Sequence, residues 1–252
     1  MTRFNAIAFV GFACFAACLA TSGLTAEQAT DDFRVSTSGP RALADALRGL
    51  SEHNDWVITY EDPQWLSPSD RVVAFPSPKP GAPPIYGIRD SVLNFSHRPA
   101  SGLAPDAKAL SVVQAVLNEY RTRQNPADFV ARRVAGLLHV IPSSAPDATG
   151  ESKAYSSPLD RPLSWQALVD SHNDSFDGVL AAISAASGQT IVLGQPNVRI
   201  PARLKLAGPA PEGASTGRMI LSAAIKTLGP RVTWHIYCQP GVSVCAFNVI
   251  GW

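Results

Sequence analysis

Read for apolar periodicity, the chain gives one order of elements twice, and this recurrence constrains its fold more than any other feature. The second pass is the clearer. Ser175 is placed to cap a helix beginning at Phe176, with Phe176, Val179, Leu180 and Ile183 at helical spacing and Gly188 as its stop. Thr190–Leu193 is a short apolar strand. Val198 to Leu206 alternates as a half-buried strand does. Ser215 or Thr216 caps a second helix carrying Leu221, Ile225 and Leu228, ended by Gly229-Pro230. Arg231 to Cys238 and Val244 to Ile250 are two closing strands, and Leu163 with Trp165 forms a first one.

The N-terminal half repeats that order: Phe33-Arg34-Val35, a helix with Pro40 at its first position and Leu43, Leu47 and Leu50 on one face, then β-rich Trp56 to Tyr60. Ser91 to Ser96 alternates. Pro105 opens a second helix through Leu110, Val113, Leu117 and Tyr120, and a hairpin turns at Ala135-Gly136. The helix starts lie farther apart in this half. Residues 63–90, with seven prolines, account for the excess and read as an extended loop, since proline cannot donate to a ladder. Ser143 to Pro158 is polar and small. The expectation is an α+β fold of two copies of a small βαββαββ module, helices packed on short mixed sheets. The division is a leader at 1–26, a first module at 27–142, a linker at 143–158 and a second module at 159–252, the two modules being separable.

The leader reading rests on Arg3 followed by uncharged Ala6 to Ala20 and a small, polar stretch ending Leu24-Thr25-Ala26: the pattern of a secretory signal peptide, too short to span a bilayer. Cleavage is expected between Ala26 and Glu27, with cleavage after Ser22 or an uncleaved anchor as alternatives. Phe15-Ala16-Ala17-Cys18 is close to a lipobox, so a lipid anchor on Cys18 is a further alternative. Removing residues 1–26 takes away Arg3, Cys14 and Cys18, leaving equal numbers of basic and acidic side chains and two cysteines, Cys238 and Cys245. An even pair in an exported chain reads as a disulfide. Pairing them places Ile236 opposite Phe247 and Trp234 opposite Val249, so one register joins both cysteines and both apolar rows. No further stretch approaches membrane length. A whole-chain formal charge of +1 argues against a nucleic-acid binder.

Ala42-Leu43-Ala44-Asp45-Ala46-Leu47 with Trp56-Val57-Ile58-Thr59-Tyr60, and Val179-Leu180-Ala181-Ala182-Ile183 with Gln189-Thr190-Ile191-Val192-Leu193, resemble the STN module found at the N-terminus of secretins and TonB-dependent receptors. The resemblance implies a small protein-docking α+β unit. It departs from those proteins in that no pore or barrel pattern follows the second copy.

Chemistry-bearing motifs are sparse. Ser171-His172-Asn173-Asp174 holds the residue types of a hydrolytic triad, but sequence neighbours make a turn and cap more readily, and no Gly-x-Ser-x-Gly elbow occurs. Glu52-His53-Asn54-Asp55 and Glu61-Asp62 match no metal-ligand spacing and read as solvated turns flanking a strand. Arg121, Arg123, Arg132 and Arg133 read as solvated surface. No phosphate-cradling loop is present. No catalytic, metal or cofactor-binding residue is therefore assigned, and no cofactor is expected. The functional expectation is a non-enzymatic, periplasmic or secreted docking protein of the bacterial envelope with a protein partner. A periplasmic hydrolase using His172 or His53, or a binder of small ligands or cell-wall fragments, are the alternatives. N-terminal sequencing of the mature protein is expected to begin at Glu27; an intact Met1 recovered from the cytoplasm defeats the export reading.

Overall fold

The computed structural model describes residues 32–65, 70–76, 84–122, 127–147, 149–194, 215–239 and 244–252. The leader with Cys18 and the Ala26–Glu27 junction, the strand expected at 198–206, the loop 240–243 and much of the proline-rich insertion lie outside the described residues.

The first half runs β1 (Phe33–Gly39), α1 (Ala42–Asn54), β2 (Ile58–Glu61), β3 (Arg71–Phe75), β4 (Ile85–Ile88), β5 (Ser91–His97), α2 (Pro105–Thr122), β6 (Asp128–Val134), β7 (Leu137–Pro146) and β8 (Ser152–Ala154). The second half opens on a 3-10 turn (Pro158–Asp160). It continues β9 (Pro162–Leu163), α3 (Trp165–Asp170), α4 (Phe176–Ser187), β10 (Thr190–Leu193), β11 (Ser215–Thr216), α5 (Gly217–Leu228), β12 (Val232–Cys238) and β13 (Val244–Gly251). The chain is mixed α+β, with helices packed on sheets.

Local chemistry explains most boundaries. The hydroxyls of Ser175 and Thr216 accept from the N–H groups of Gly178 and Met219, closing the first turns of α4 and α5. Gly188 takes the left-handed conformation that ends α4. Three expectations need correction. Pro40 lies two residues before α1, whose cap is Arg41 with φ −133°, outside the helical range. Trp165 starts α3 instead of continuing a strand, because the Ser164 hydroxyl accepts from the Ala167 N–H and caps a helix there. The proline-rich stretch contains the antiparallel pair β3–β4: Pro76 and Pro84 bound the strands, and neither strand contains a proline.

One sheet of seven strands spans both halves, in the order β10-β13-β12-β2-β7-β6, with β8 also on β7. The same three pairings occur in each half. β1 and β5 pair antiparallel, as do β9 and β11. β2 runs parallel to β7, as β10 does to β13. The hairpin β6–β7 is matched by β12–β13. Buried positions match as well: Leu43, Ala46, Leu47, Leu50 and Ile58 stand where Phe176, Val179, Leu180, Ile183 and Ile191 stand, at one constant spacing. Parallel pairing of β12 with β2 joins the halves.

The two helix pairs lie on opposite faces of this sheet. Side chains alternate across a strand. On β12, Trp234, Ile236 and Cys238 enter one core with α4, α5, Ile191 and Phe247. His235 and Tyr237 project the other way and meet Tyr60, which belongs to the core under α1 and α2 with Ile58, Phe129 and Val140. β10 and β13 run one way, β12, β2 and β7 the other, and β6 the first way again. A half-turn about an axis crossing the strands, plus a shift along it, therefore carries one half's strands onto the other's and moves its helices to the opposite face. Each fully buried Leu or Phe contributes about 1.5–3 kcal/mol, so either core is a substantial apolar store. Close approach of α4 and α5 requires Gly217, where an added Cβ would lie 2.6 Å from the Ile183 side chain.

The last hairpin has the register its apolar rows require: Cys238 faces Cys245, Ile236 faces Phe247 and Trp234 faces Val249. Cys238 and Cys245 form a disulfide with Cα atoms 4.0 Å apart. The Gln239 N–H donates to the Val244 carbonyl, so the cysteines occupy the adjacent non-bonded pair, where side chains approach most closely. The bridge closes a short loop, so its entropic stabilisation is below the roughly 3 kcal/mol of a 15-residue loop.

Candidate functional site

The densest polar chemistry lies where β12 meets β2, on residues 61 and 62. These are not solvated turn residues: Glu61 is 0% and Asp62 4% exposed. Glu61 accepts from Arg218 on α5 at 2.7 Å, and from the hydroxyls of Ser157 at 2.7 Å and Tyr155 at 2.9 Å. Arg218, itself almost wholly buried, donates a further bond to Asp160 at 2.7 Å and lies over the Trp234 ring. Burial presses the Arg218 guanidinium down, but Glu61 and Asp160 outweigh it and hold it above its ordinary value. Burial, then the nearby Glu61 charge, holds the Tyr155 hydroxyl well above the ordinary phenol range.

Asp62 does comparable work beside it. Its N–H donates to the Ile236 carbonyl, and its carboxylate accepts from the Cys238 N–H at 3.0 Å and from Arg41 at 2.8 Å. Arg41 also donates to the Cys238 carbonyl and lies 4.6 Å from the centre of the Tyr237 ring. Two adjacent carboxylates at the end of β2 thus bind the first half to the second from both faces of the sheet. Residues 143–158 are part of this junction: β7 extends to Pro146, β8 returns alongside it, and Tyr155 and Ser157 end on Glu61.

Two histidines are buried near the junction. His139 lies with Nδ1 2.6 Å from the Thr59 hydroxyl and Nε2 3.1 Å from the Val134 carbonyl. A carbonyl only accepts, so Nε2 carries the hydrogen and Nδ1 accepts from Thr59. This threonine–histidine pair resembles a nucleophile and base, yet both residues are 0% exposed and no substrate reaches them. Burial and the Arg218 charge lower the His139 pKa to about 4. Burial and the Arg48 charge lower that of His235 to about 3.

The other motif residues serve local structure. The Ser171 hydroxyl donates to the Ala167 carbonyl at the end of α3, His172 takes φ 58° in the turn, and Asn173 donates its N–H to the Leu168 carbonyl. His53 bonds to the Gly49 carbonyl and Asp55 caps α1, paired with Arg231 at 2.9 Å. Arg121 pairs with Asp128 and Arg133 with Asp106, while Arg132 is exposed on β6. Among the described residues no group of three or more His, Cys, Asp or Glu is placed to hold a metal ion, and no helix is long and apolar enough to cross a membrane. No residue pair of the described site presents reactive groups in an open cleft.

What the described surface does present is strand edge. β6 and β10 end the seven-stranded sheet, and among the described residues neither has a partner on its outer side. Val192 on β10 is 45% and Val244 on β13 40% exposed, on the face opposite the second core. No protein-family model, no curated protein and no solved structure matches the chain.

Two outcomes are expected of the junction. Arg218→Met leaves Glu61 charged, buried and short of its cation, and urea titration is expected to show a loss of about 3–5 kcal/mol, most of it recovered in Arg218→Met with Glu61→Met. The buried histidines bind protons more weakly folded than unfolded. Their contribution is therefore complete above pH 6.5 and is lost as pH falls toward about 4 for His139 and about 3 for His235. His139→Gln keeps a donor for Val134 and is expected to reduce the slope of stability against pH near pH 5 by about one proton, about 1.4 kcal/mol per pH unit.

Proposed function

We propose that this chain is an exported, non-enzymatic docking protein of the bacterial envelope, built from two STN-like modules in tandem, and that it engages protein partners by strand addition at its sheet edges. The observation that carries the reading is the pair of edge strands, β6 and β10, at the two ends of a sheet whose interior strands are paired. An edge strand presents a row of backbone donors and acceptors that another chain can take up. The recurrence of three strand pairings in both halves supports duplication of one unit. The Cys238–Cys245 disulfide fits a non-cytosolic compartment, as the leader pattern does. The acids, histidines and arginines at the junction are engaged in holding the halves together, whereas β6 and β10 have no outer partner among the described residues.

A photo-reactive residue at Val130 on β6 or at Val192 on β10, introduced in the producing cell, is expected to yield discrete protein adducts. The same residue at exposed Glu52 on α1 is expected to yield none. Adducts absent from both edges, or a hydrolytic activity of the purified protein that His172→Ala abolishes, would replace this reading.

A further inference from the structure

The two edges, which have no outer partner among the described residues, have counterparts that are already joined inside the chain. At the junction His235 and Ile236 of β12 lie beside Tyr60 and Glu61 of β2, in parallel. The hairpin and strand pairings place Val130 and Ala131 of β6 where His235 and Ile236 stand, and Leu193 and Gly194 at the end of β10 where Tyr60 and Glu61 stand. Backbone direction agrees. Ile236 turns its carbonyl toward β2, where it accepts from Asp62. A two-residue turn makes Val134 and Leu137 a bonded pair, so Ala131, three positions back, turns its N–H and carbonyl outward. Gly194 donates inward to Phe247, so Leu193 beside it faces out.

The side chains around such a contact are complementary, though different from those at the internal junction. Thr59 is 0% exposed beneath the second half, whereas its counterpart Val192 is 45% exposed and more apolar. Arg218, which covers the internal junction, corresponds to Leu110 on α2, so an ionic contact is replaced by an apolar one suited to Val192. Tyr237, which lies under Arg41, corresponds to exposed Arg132, and Arg41 corresponds to Asp174, which is largely buried beside the start of α4.

We infer that the mature chain associates with a second copy of itself head to tail, β6 of one copy adding in parallel to β10 of the next by the same half-turn and shift that relate its own halves. Such a contact uses different surfaces on the two partners, and that half-turn and shift applied twice relates successive copies by a pure translation, which does not close, so the product is an open chain of copies. This rests on the docking reading above and specifies its partner.

Sedimentation of the mature protein tests it. The wild-type mass is expected to grow with concentration without a plateau. Ala131→Pro removes the outward N–H of β6, and Val192→Asp places a charge on the β10 contact. Each alone is expected to sediment as a single chain, and an equimolar mixture, having one intact edge of each kind, is expected to stop at two chains. Should a variant fail to fold, a second route decides. Val130→Cys and Leu193→Cys proteins, oxidised together, are expected to give a mixed disulfide dimer, and neither alone should give one. A wild-type protein of single-chain mass at every concentration, or a Val130→Cys protein that dimerises with itself, overturns the proposal. In that event adducts to another envelope protein from Val130 or Val192 would still uphold docking, and their absence would remove both.

Discussion

The structure depends on the contact between Glu61 and Arg218. Both side chains are almost fully removed from water, and desolvating a carboxylate and a guanidinium costs several kcal/mol for each unless partners are well placed. Here Ser157 and Tyr155 bond the carboxylate and Asp160 and Ser157 the guanidinium, while Nη1 of Arg218 is buried with no hydrogen-bond partner among the described residues. Asp62, one residue on, fastens the adjoining backbone of β12 and draws in Arg41. Besides these two acids, β2 and β12 share a short parallel register, His235 to Tyr60 and Ile236 to Glu61, a bond from the Thr233 hydroxyl to the Ile58 carbonyl, and ring contacts of Tyr60 with His235 and Tyr237.

That contact makes a particular geometry workable. The two cores sit on opposite faces of one sheet, so each half's helices cover only part of the sheet. Neighbouring elements cover the other face at the junction: Tyr237 is met by Arg41 from one side, Glu61 by Arg218 from the other. At the outer ends of the sheet the described residues provide no such cover, and Val192 and Val244 remain exposed. The distribution of polar bonding and apolar exposure follows from a stagger that leaves the middle of the sheet doubly covered.

Much of the fold was legible because its determinants are local. Ser175 and Thr216 announce helix starts, Gly188 and Gly229 announce ends, and the period-two rows of the last hairpin admit one register once two cysteines must meet. Three features escaped for physical reasons. The β3–β4 pair lies among prolines that bound its strands, and composition averages over that distinction. Trp165 looks like strand, but a serine just before it decides for helix. The junction was illegible: acids beside a strand end ordinarily face water, and what buries Glu61 is an arginine 157 residues away. Thr59 and His139 are similarly distant in sequence, joined only by the parallel pairing of β2 and β7.

The 157-residue span between Glu61 and Arg218 also bears on the order of folding. Contacts this remote in sequence reward the chain only after most of its conformational freedom has been given up. The first half contains its own helices and hairpin, but β2, its strand at the junction, carries a carboxylate whose counter-charge lies on α5 of the second half. Until α5 is in place, β2 is bordered on one side by water instead of β12, and Glu61 has reason to stay hydrated. The docking of α5 and β12 on β2 therefore serves as the commitment step for both halves, so the second half sets when the first half's junction strand becomes native.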